Sequence, residues 1–259
     1  SLGYDNQWRD FRWTTNFTYS WNKNEIIELA ANAVNPVTGE ALNLTKLDIK
    51  GLGKAKYILK EGGTLGDLYT TSNLRFNDNG YVEVDKNGNL LMTDEGEDIY
   101  LGSVFPNHNL AWRNDFSYKG INLGVLFTAR LGGVCYSATQ ANLDLYGVSE
   151  ASAAARDAGG VLINGREMVD AQKWYQAIGS QSGLPQYYLY SATNVRLQEL
   201  SLGYTFPRKW FRNKLGLTVS FVGRNLWMIY CKAPFDPEAV ASTGLNYQGI
   251  DYFMMPSMR

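Results

Sequence analysis

The chain has 259 residues, with 24 Lys and Arg against 25 Asp and Glu and a formal net charge of −1. That balance leaves no basic excess to neutralise phosphates, which argues against nucleic acid as a partner. Aromatic residues make up 14% of the chain, led by 17 Tyr and 7 Trp, while charged residues reach only 19%; membrane β-barrels and sugar-handling surfaces share this composition. No apolar window of about 18 residues marks a membrane-spanning helix, and a strand-built membrane protein would leave no such signal. Ser1 is expected to lie inside a folded region rather than in a signal peptide. Cys135 and Cys231 are too few for a disulfide framework. They stand as two unpaired thiols or as one bridge between neighbouring loops.

Phe11 to Asn22 alternates without interruption. Phe11, Trp13, Thr15, Phe17, Tyr19 and Trp21 share one face, and Arg12, Thr14, Asn16, Thr18, Ser20 and Asn22 share the other. Alternate residues of a strand point to opposite sides. The run is longer than the usual globular strand of about 5–6 residues and matches a tilted membrane strand of about 9–11. Aromatics near both ends of its outer face correspond to interfacial girdles. In a water-soluble sheet such a face would aggregate.

Between Lys23 and Lys56 the pattern is weaker. Glu25–Leu29 suits a short helical turn, and Asn35-Pro36-Val37-Thr38-Gly39-Glu40 is turn chemistry. Tyr57 to Phe76 reads as a further strand softened by Gly62, Gly63 and Gly66, and Asn77 to Leu101 as a loop rich in Asn, Asp and Gly. Asp85-Lys86-Asn87-Gly88-Asn89 with Asp94 looks like a calcium loop at first sight. Its glycine falls at the fourth position instead of the sixth, and its twelfth position is Gly96 instead of Glu. A hairpin-tip turn is expected there.

Alternation returns in Asn109–Lys119, with Leu110, Trp112, Phe116 and Tyr118 outward and Ala111, Arg113, Asp115 and Ser117 inward. Asn114 is the one outward misfit. Past a Lys119-Gly120 turn, Ile121, Leu123, Val125, Phe127 and Ala129 point outward, with Asn122, Gly124, Thr128 and Arg130 inward. The connection from Leu131 to Tyr190 holds an expected short helix over Glu150–Asp157, ending at Gly159-Gly160. Roughly sixty residues without strong periodicity are unusual inside a compact soluble domain. Its aromatics Trp174, Tyr175, Tyr187, Tyr188 and Tyr190 either face a ligand or pack the loop on itself.

Asn194 to Met228 organises the rest. Leu200, Leu202, Tyr204 and Phe206 oppose Glu199, Ser201, Gly203 and Thr205; Leu215, Leu217, Val219 and Phe221 oppose Gly216, Thr218 and Ser220. The joining segment Pro207–Lys214 carries four cations with Trp210 and Phe211, which suits an interfacial turn. Tyr230 to Phe253 is another loop, containing Pro234-Phe235-Asp236-Pro237-Glu238. A further strand is expected to begin near Pro256-Ser257-Met258-Arg259.

No catalytic constellation emerges. His108 has no His or Cys partner for a metal. Asp236 and Glu238, like Glu97 and Asp98, are too close along a loop to face each other across a glycoside. No Gly-x-Ser-x-Gly elbow or phosphate loop is present. The reading is a non-enzyme with no cofactor and no metal.

Four stretches carry a family resemblance. They are Tyr100-Leu101-Gly102-Ser103 with Pro106 and Asn114-Asp115-Phe116-Ser117-Tyr118-Lys119; Arg196-Leu197-Gln198-Glu199-Leu200-Ser201-Leu202-Gly203-Tyr204-Thr205-Phe206-Pro207; Gly223-Arg224-Asn225-Leu226 with Phe235-Asp236-Pro237-Glu238; and Gly249-Ile250-Asp251 with Pro256 and Arg259. In order and spacing the chain resembles the C-terminal part of the SusC/RagA-like TonB-dependent outer-membrane transporters of Bacteroidota. Weaker echoes lie in Leu131–Tyr136 and Gly63–Tyr69.

The resemblance implies an all-β fold: a partial antiparallel transmembrane barrel over residues 1–259, part of a plugged barrel of about 22 strands. The plug, the N-terminal half and the final strand would lie outside this sequence. Counting back from the periplasmic end, Leu215–Met228 would rise, Arg196–Pro207 descend, Ile121–Arg130 rise, Asn109–Lys119 descend, Tyr57–Phe76 rise and Phe11–Asn22 descend. Loops 77–101, 131–190 and 230–253 would then be extracellular and the short turns periplasmic. The implied function is nutrient import of glycans or peptides. The implied partners are a SusD-like surface lipoprotein, the TonB energy-coupling system, the remainder of the barrel and outer-membrane lipid. Arg113, Asp115, Arg130, Glu199 and Arg224 would face the lumen, holding the plug or lining the route; Trp174, Tyr175, Tyr187 and Tyr188 would form the loop surface for cargo. The competing readings are a soluble β-rich carbohydrate-binding or adhesion domain and a passive porin.

Overall fold

The computed structural model describes residues 1–30, 33–41, 44–93, 96–239 and 247–253. Asp94, Pro256, Ser257, Met258 and Arg259, and with them the expected start of a further strand, lie outside the described residues. The chain opens on a hairpin, β1 (Leu2–Trp8) and β2 (Phe11–Trp21). A first excursion follows, holding β3 (Lys46–Leu52), β4 (Ala55–Lys60), β5 (Asp67–Thr70), β6 (Asn73–Leu74), β7 (Met92–Thr93) and β8 (Ile99–Ser103). A second long hairpin, β9 (His108–Tyr118) and β10 (Ile121–Leu131), leads to another excursion. This one holds β11 (Val134–Ser137), α1 (Ala138–Leu145), α2 (Glu150–Asp157), β12 (Val161–Ile163), β13 (Glu167–Val169), α3 (Ala171–Ile178) and β14 (Leu189–Ser191). The third hairpin is β15 (Asn194–Thr205) and β16 (Thr218–Cys231), after which β17 (Ile250–Asp251) closes the described chain.

Six of these strands form one antiparallel wall in the order β1-β2-β9-β10-β15-β16. The turns Arg9-Asp10, Lys119-Gly120 and the Phe206–Leu217 connection all fall at one end, and the long excursions leave from the other. Lys119 and Gly120 both have positive φ, 47° and 91°, the paired left-handed geometry that lets a two-residue turn follow strand twist.

Register assigns the two faces. One row of neighbours runs Leu2, Phe17, Trp112, Phe127, Leu197 and Trp227; the next row on that face runs Tyr4, Thr15, Asn114, Val125, Leu200 and Gly223. Leu2, Tyr19, Trp112, Leu202, Phe221 and Trp227 are exposed there. Phe11, Trp13, Phe17 and Tyr19 lie on this outer face, so they do not build the centre of a soluble globule. The opposite face collects Asp5, Thr14, Asp115, Gly124, Ser201 and Val222 in one row and Gly3, Asn16, Arg113, Leu126, Glu199 and Arg224 in the next.

Asn114, the outward misfit, is buried, and its Oδ1 accepts from Trp13 Nε1 at 3.2 Å. Thr15 Oγ1, the other polar group in that row, accepts from Trp112 Nε1 at 3.0 Å. These two polar groups are satisfied by indole donors from the same face, as a medium without hydrogen-bonding capacity requires.

Four sequence expectations are corrected. Tyr57–Phe76 is not a wall strand: it divides among β4, β5 and β6, where Tyr57, Ile58, Leu68, Tyr69 and Leu74 are buried. The wall strand in its place is β1. As a result β2 pairs directly with β9 and runs antiparallel to it, opposite to the direction expected for Phe11–Asn22. The excursion between β2 and β9 therefore spans residues 22–107 instead of 77–101. Glu25–Leu29 carries no helical turn. The Asp85 segment is a hairpin tip, with Asp85 Oδ1 accepting from the Asn87 and Asn89 amides between the Val84 and Leu90 bridge partners.

The excursions fold into one body. β3-β4-β5-β8 form a sheet, and β11 lies between antiparallel β14 and parallel β17. The shared core joins Tyr57, Leu68 and Leu90 of the first excursion with Tyr136, Ile178, Leu184 and Tyr188 of the second and Ile250 of the third. Gly249 sits at the junction with φ of 68°, where a Cβ would lie 2.6 Å from Val104 Cγ1 and 3.1 Å from the Val134 carbonyl. The helices start on Ser137, Ser149 and Asp170, each accepting from an amide of its own first turn. Asp98 joins two strands of the body, 2.8 Å from both Lys46 Nζ and Lys60 Nζ.

Two outcomes test this architecture. Leu200→Lys, on the outer face, is expected to cost about 2–4 kcal/mol in denaturant titrations of the full-length protein refolded into lipid, whereas Ser201→Lys, one residue along, costs under about 1 kcal/mol. Hydrogen bonds from Lys46 and then Lys60 hold the Asp98 carboxyl below its ordinary value of 3.8. A depressed acid contributes stability above its unfolded pKa and loses it as pH falls through the folded one. Amide protection in β3 and β4, relative to the intrinsic exchange rate at each pH, is therefore expected to fall below pH 3.8 in the native chain, and the Asp98→Asn variant lacks that acid-dependent component.

Candidate functional site

The inner face is built by period-2 geometry from residues the sequence leaves charged or small. On β9, Arg113 and Asp115 are two apart and share the face; Arg113 Nε and Nη2 donate to the Asp115 carboxylate at 2.8 and 3.1 Å. Across the wall, Glu199 on β15 receives Arg224 Nε at 3.1 Å and lies 3.5 Å from Arg113 Nη1. The structure thus brings four of the five expected lumen residues, Arg113, Asp115, Glu199 and Arg224, into one ion network. Arg224 remains exposed at its outer limit, available to a further partner. Beside the network lies a hollow of about 470 Å³ lined by Arg12, Thr14, Asp115, Asn122, Gly124 and Ser201. A Cβ at Gly124 would come within 2.5 Å of Ser201 Oγ and 2.9 Å of Asp115 Oδ1, so the glycine preserves both the hollow and the carboxylate's position.

Arg130, the fifth residue, stands apart at the excursion end of the wall, 3.4 Å from Glu238 Oε1. It belongs to a second cluster centred on Arg196. The Arg196 guanidinium is buried and binds Asp236 through two nitrogens, at 2.7 and 3.1 Å, with Glu238 at 3.1 Å. Asp236-Pro237-Glu238 is thereby fastened to the inner face at its rim. Simple alternation conceals this residue. Arg196 is three positions from Glu199 and would point the other way in a regular strand. An irregularity at Gln198 resets the phase, pairing Leu197 with Phe127 and Arg196 with Thr128. Gln198 is held there by its Nε2 donating to Asn225 Oδ1 at 2.9 Å. Asp5 and Arg12, paired at 2.5 Å on the same inner face, escape a reading in which β1 is not recognised. The alternation of Leu2, Tyr4 and Trp8 with Gly3, Asp5 and Gln7 is their signal.

The loop aromatics do not share one open surface. Tyr188 is buried in the core of the excursion body, and burial together with the nearby Asp144 carboxylate pushes its phenol up. Trp174 and Tyr175 pack partly buried against that core. Tyr187 is exposed, with its ring edge-to-face on Trp174 at 5.9 Å. Tyr175 also lines a cleft of about 290 Å³ with Asp144, Arg156 and Gln172. Cys135 and Cys231 form no disulfide, and burial pushes the Cys135 thiol up to about 12.

The Arg196 cluster makes a direct prediction. Arg196→Met leaves the Asp236 carboxylate buried against an apolar side chain and is expected to cost about 3–5 kcal/mol. The Arg196→Met, Asp236→Leu pair should recover most of that loss, read by thermal unfolding and by protease cleavage after Lys232.

No family model matches the chain. In sequence it is 25% identical, over 279 aligned residues, to TonB-dependent receptor P3 of Formosa agariphila. That match covers 97% of this chain and 26% of the relative, so the chain spans about a quarter of the relative's length. In structure it is similar to the RagAB peptide transporter, with a TM-score of 0.54 at 20% identity over 89% of this chain and 25% of that one. The "closed-closed" state of the RagAB peptide importer gives 0.57 at 20% identity, over 98% of this chain and 27% of that one. The "open-open" state gives 0.59 at 18%, over 96% and 26%. The structural likeness gives the fold, and with it the meaning of the six-stranded sheet as a sector of barrel wall. In sequence over nearly its whole length the chain is similar to a TonB-dependent receptor, and in fold it is similar to about a quarter of the RagAB peptide importer.

Proposed function

We propose that the chain is the C-terminal barrel part of a TonB-dependent outer-membrane transporter that imports peptides or glycans. The observation that carries this reading is the segregation in the wall: an apolar, aromatic outer face, a charged and small-residue inner face, and every long excursion at one end. A spanning sheet needs exactly such an arrangement with lipid outside and protein or water inside. The excursion body faces the outside of the cell and the short turns face the periplasm. A SusD-like lipoprotein seats on the excursion body and delivers cargo, and energy from TonB displaces a plug that the inner face holds. Arg113, Asp115, Glu199 and Arg224 form the contact for that plug, with Arg224 offering its free side; Arg130 serves the rim through Glu238. Cargo passes the loop surface at Tyr187.

The test uses the full-length protein in its own host. It is expected to fractionate with outer membranes, to require detergent, to co-purify with a surface lipoprotein and to take up labelled peptides or oligosaccharides only when TonB is intact. Monodisperse behaviour without detergent would overturn the membrane reading. TonB-independent uptake would indicate a passive pore.

A further inference from the structure

We propose that the β15–β16 turn, Arg208–Lys214, binds the phosphate of anionic glycerophospholipids in the leaflet it meets. The inference rests on the wall lying in lipid and adds a headgroup partner to it. After β15 the chain turns through Pro207 into a single helical turn over Arg208–Phe211, and Arg212 and Asn213 then take left-handed φ of 51° and 63°. Arg208, Lys209, Arg212 and Lys214 are all exposed in this short span, and no acidic residue occurs from Phe206 to Leu217.

Within the wall strands every cation, Arg12, Arg113, Arg130, Arg196 and Arg224, has a carboxylate partner. Among the described residues, the four cations of this turn have none. The adjoining turns add Arg9, Lys119 and Asp10, with Lys119 Nζ 4.0 Å from Asp10 and lying over the Tyr118 ring. This end of the wall is thus a cationic belt relieved by one carboxylate.

Aromatic residues fix the level of that charge. Phe206 is the hub of a cluster with Tyr204 at 4.9 Å, Trp210 at 5.8 Å and Phe211 at 6.4 Å. Trp210 is 62% exposed beside the cations, and Trp8, Tyr118, Ile121 and Val219 are exposed on the apolar face just inside the turns. Aromatic rings settle at the boundary between hydrocarbon and headgroup. Cations immediately beyond them stand at phosphate depth, where each contributes about a fivefold preference for an anionic surface. Solvent alone would not place exposed indole and unpaired guanidinium groups side by side on one turn; a headgroup with acyl chains attached satisfies both.

The experiment takes the full-length protein reconstituted with phosphatidylethanolamine and a minor fraction of phosphatidylglycerol, and weighs retained lipid by native mass spectrometry after detergent exchange. Phosphatidylglycerol should be enriched above its bulk ratio on the native protein. The Arg208→Gln, Lys209→Gln, Arg212→Gln, Lys214→Gln variant should lose the enrichment, Lys209→Arg, Lys214→Arg should keep it, and Lys86→Gln, Lys232→Gln, at the excursion end, should leave it unchanged. If the fourfold variant does not assemble, high salt on the native protein supplies the same test, because screening removes the preference without a mutation. Enrichment that survives the fourfold substitution or high salt, or a native protein with no enrichment, overturns the proposal. Displacement by inorganic phosphate identifies a free-anion site and overturns it too, as does a Lys209 cross-link to another segment of the same protein. Loss of enrichment with TonB-dependent uptake intact supports the lipid site; failure to enter lipid at all strikes the transporter reading instead.

Discussion

Hydrocarbon offers no hydrogen bonds, and that single restriction orders the molecule. Every backbone donor and acceptor of a spanning strand must find its partner in a neighbouring strand, which is why six strands of this chain pair without interruption by a non-wall element. Side chains meet the same rule. The outer face is largely apolar, and among its polar groups Asn114 and Thr15 are answered by Trp13 and Trp112. Charged groups are displaced to the inner face, where they neutralise one another in the Arg113–Asp115–Glu199–Arg224 network.

This asymmetry is what made most of the wall readable. A two-sided environment imprints a period of two, and β2, β9, β10, β15 and β16 could be traced from that rhythm. Where the environment is the same on both sides, the rhythm carries no message. Tyr57, Ile58, Leu68, Tyr69 and Leu74 are buried in the excursion body, whereas Glu61, Leu65 and Phe76 of the same stretch are exposed, and reading the stretch as wall confused core with lipid contact. β1 has the rhythm but is short, and Asn6 breaks the apolar face opposite Trp13. α2 announces itself by an alanine run, whereas α1 and α3, of the same length, are mixed in composition, and their stability comes from packing against the rest of the excursion body.

Among the candidate residues, legibility followed strand phase. Residues in regular register, Arg113, Asp115, Glu199 and Arg224, were found because alternation alone puts them on one face. Arg196 was not, since the irregularity at Gln198 shifts the phase between it and Glu199. The acidic pair Asp236 and Glu238 looked like loop decoration until the guanidinium that holds them was placed. The loop aromatics show the limit of composition: Tyr187 and Tyr188 are adjacent in sequence, yet one is exposed and the other is core.

The core that unites Tyr57, Tyr188 and Ile250 has a bearing on how such a chain is made. Tyr57 and Tyr188 are more than a hundred residues apart in sequence and Ile250 lies farther along still, and each arrives only after a different hairpin has been delivered. Contacts of that span close late and slowly. The wall can zip by neighbouring hairpins, but the body above it must wait for the last segment, and until then its apolar surfaces stand uncovered. Biogenesis of this region is therefore a two-tempo process, with a quick local phase at the membrane and a delayed global one outside it, and the interval between them is when the nascent chain most needs a holding chaperone.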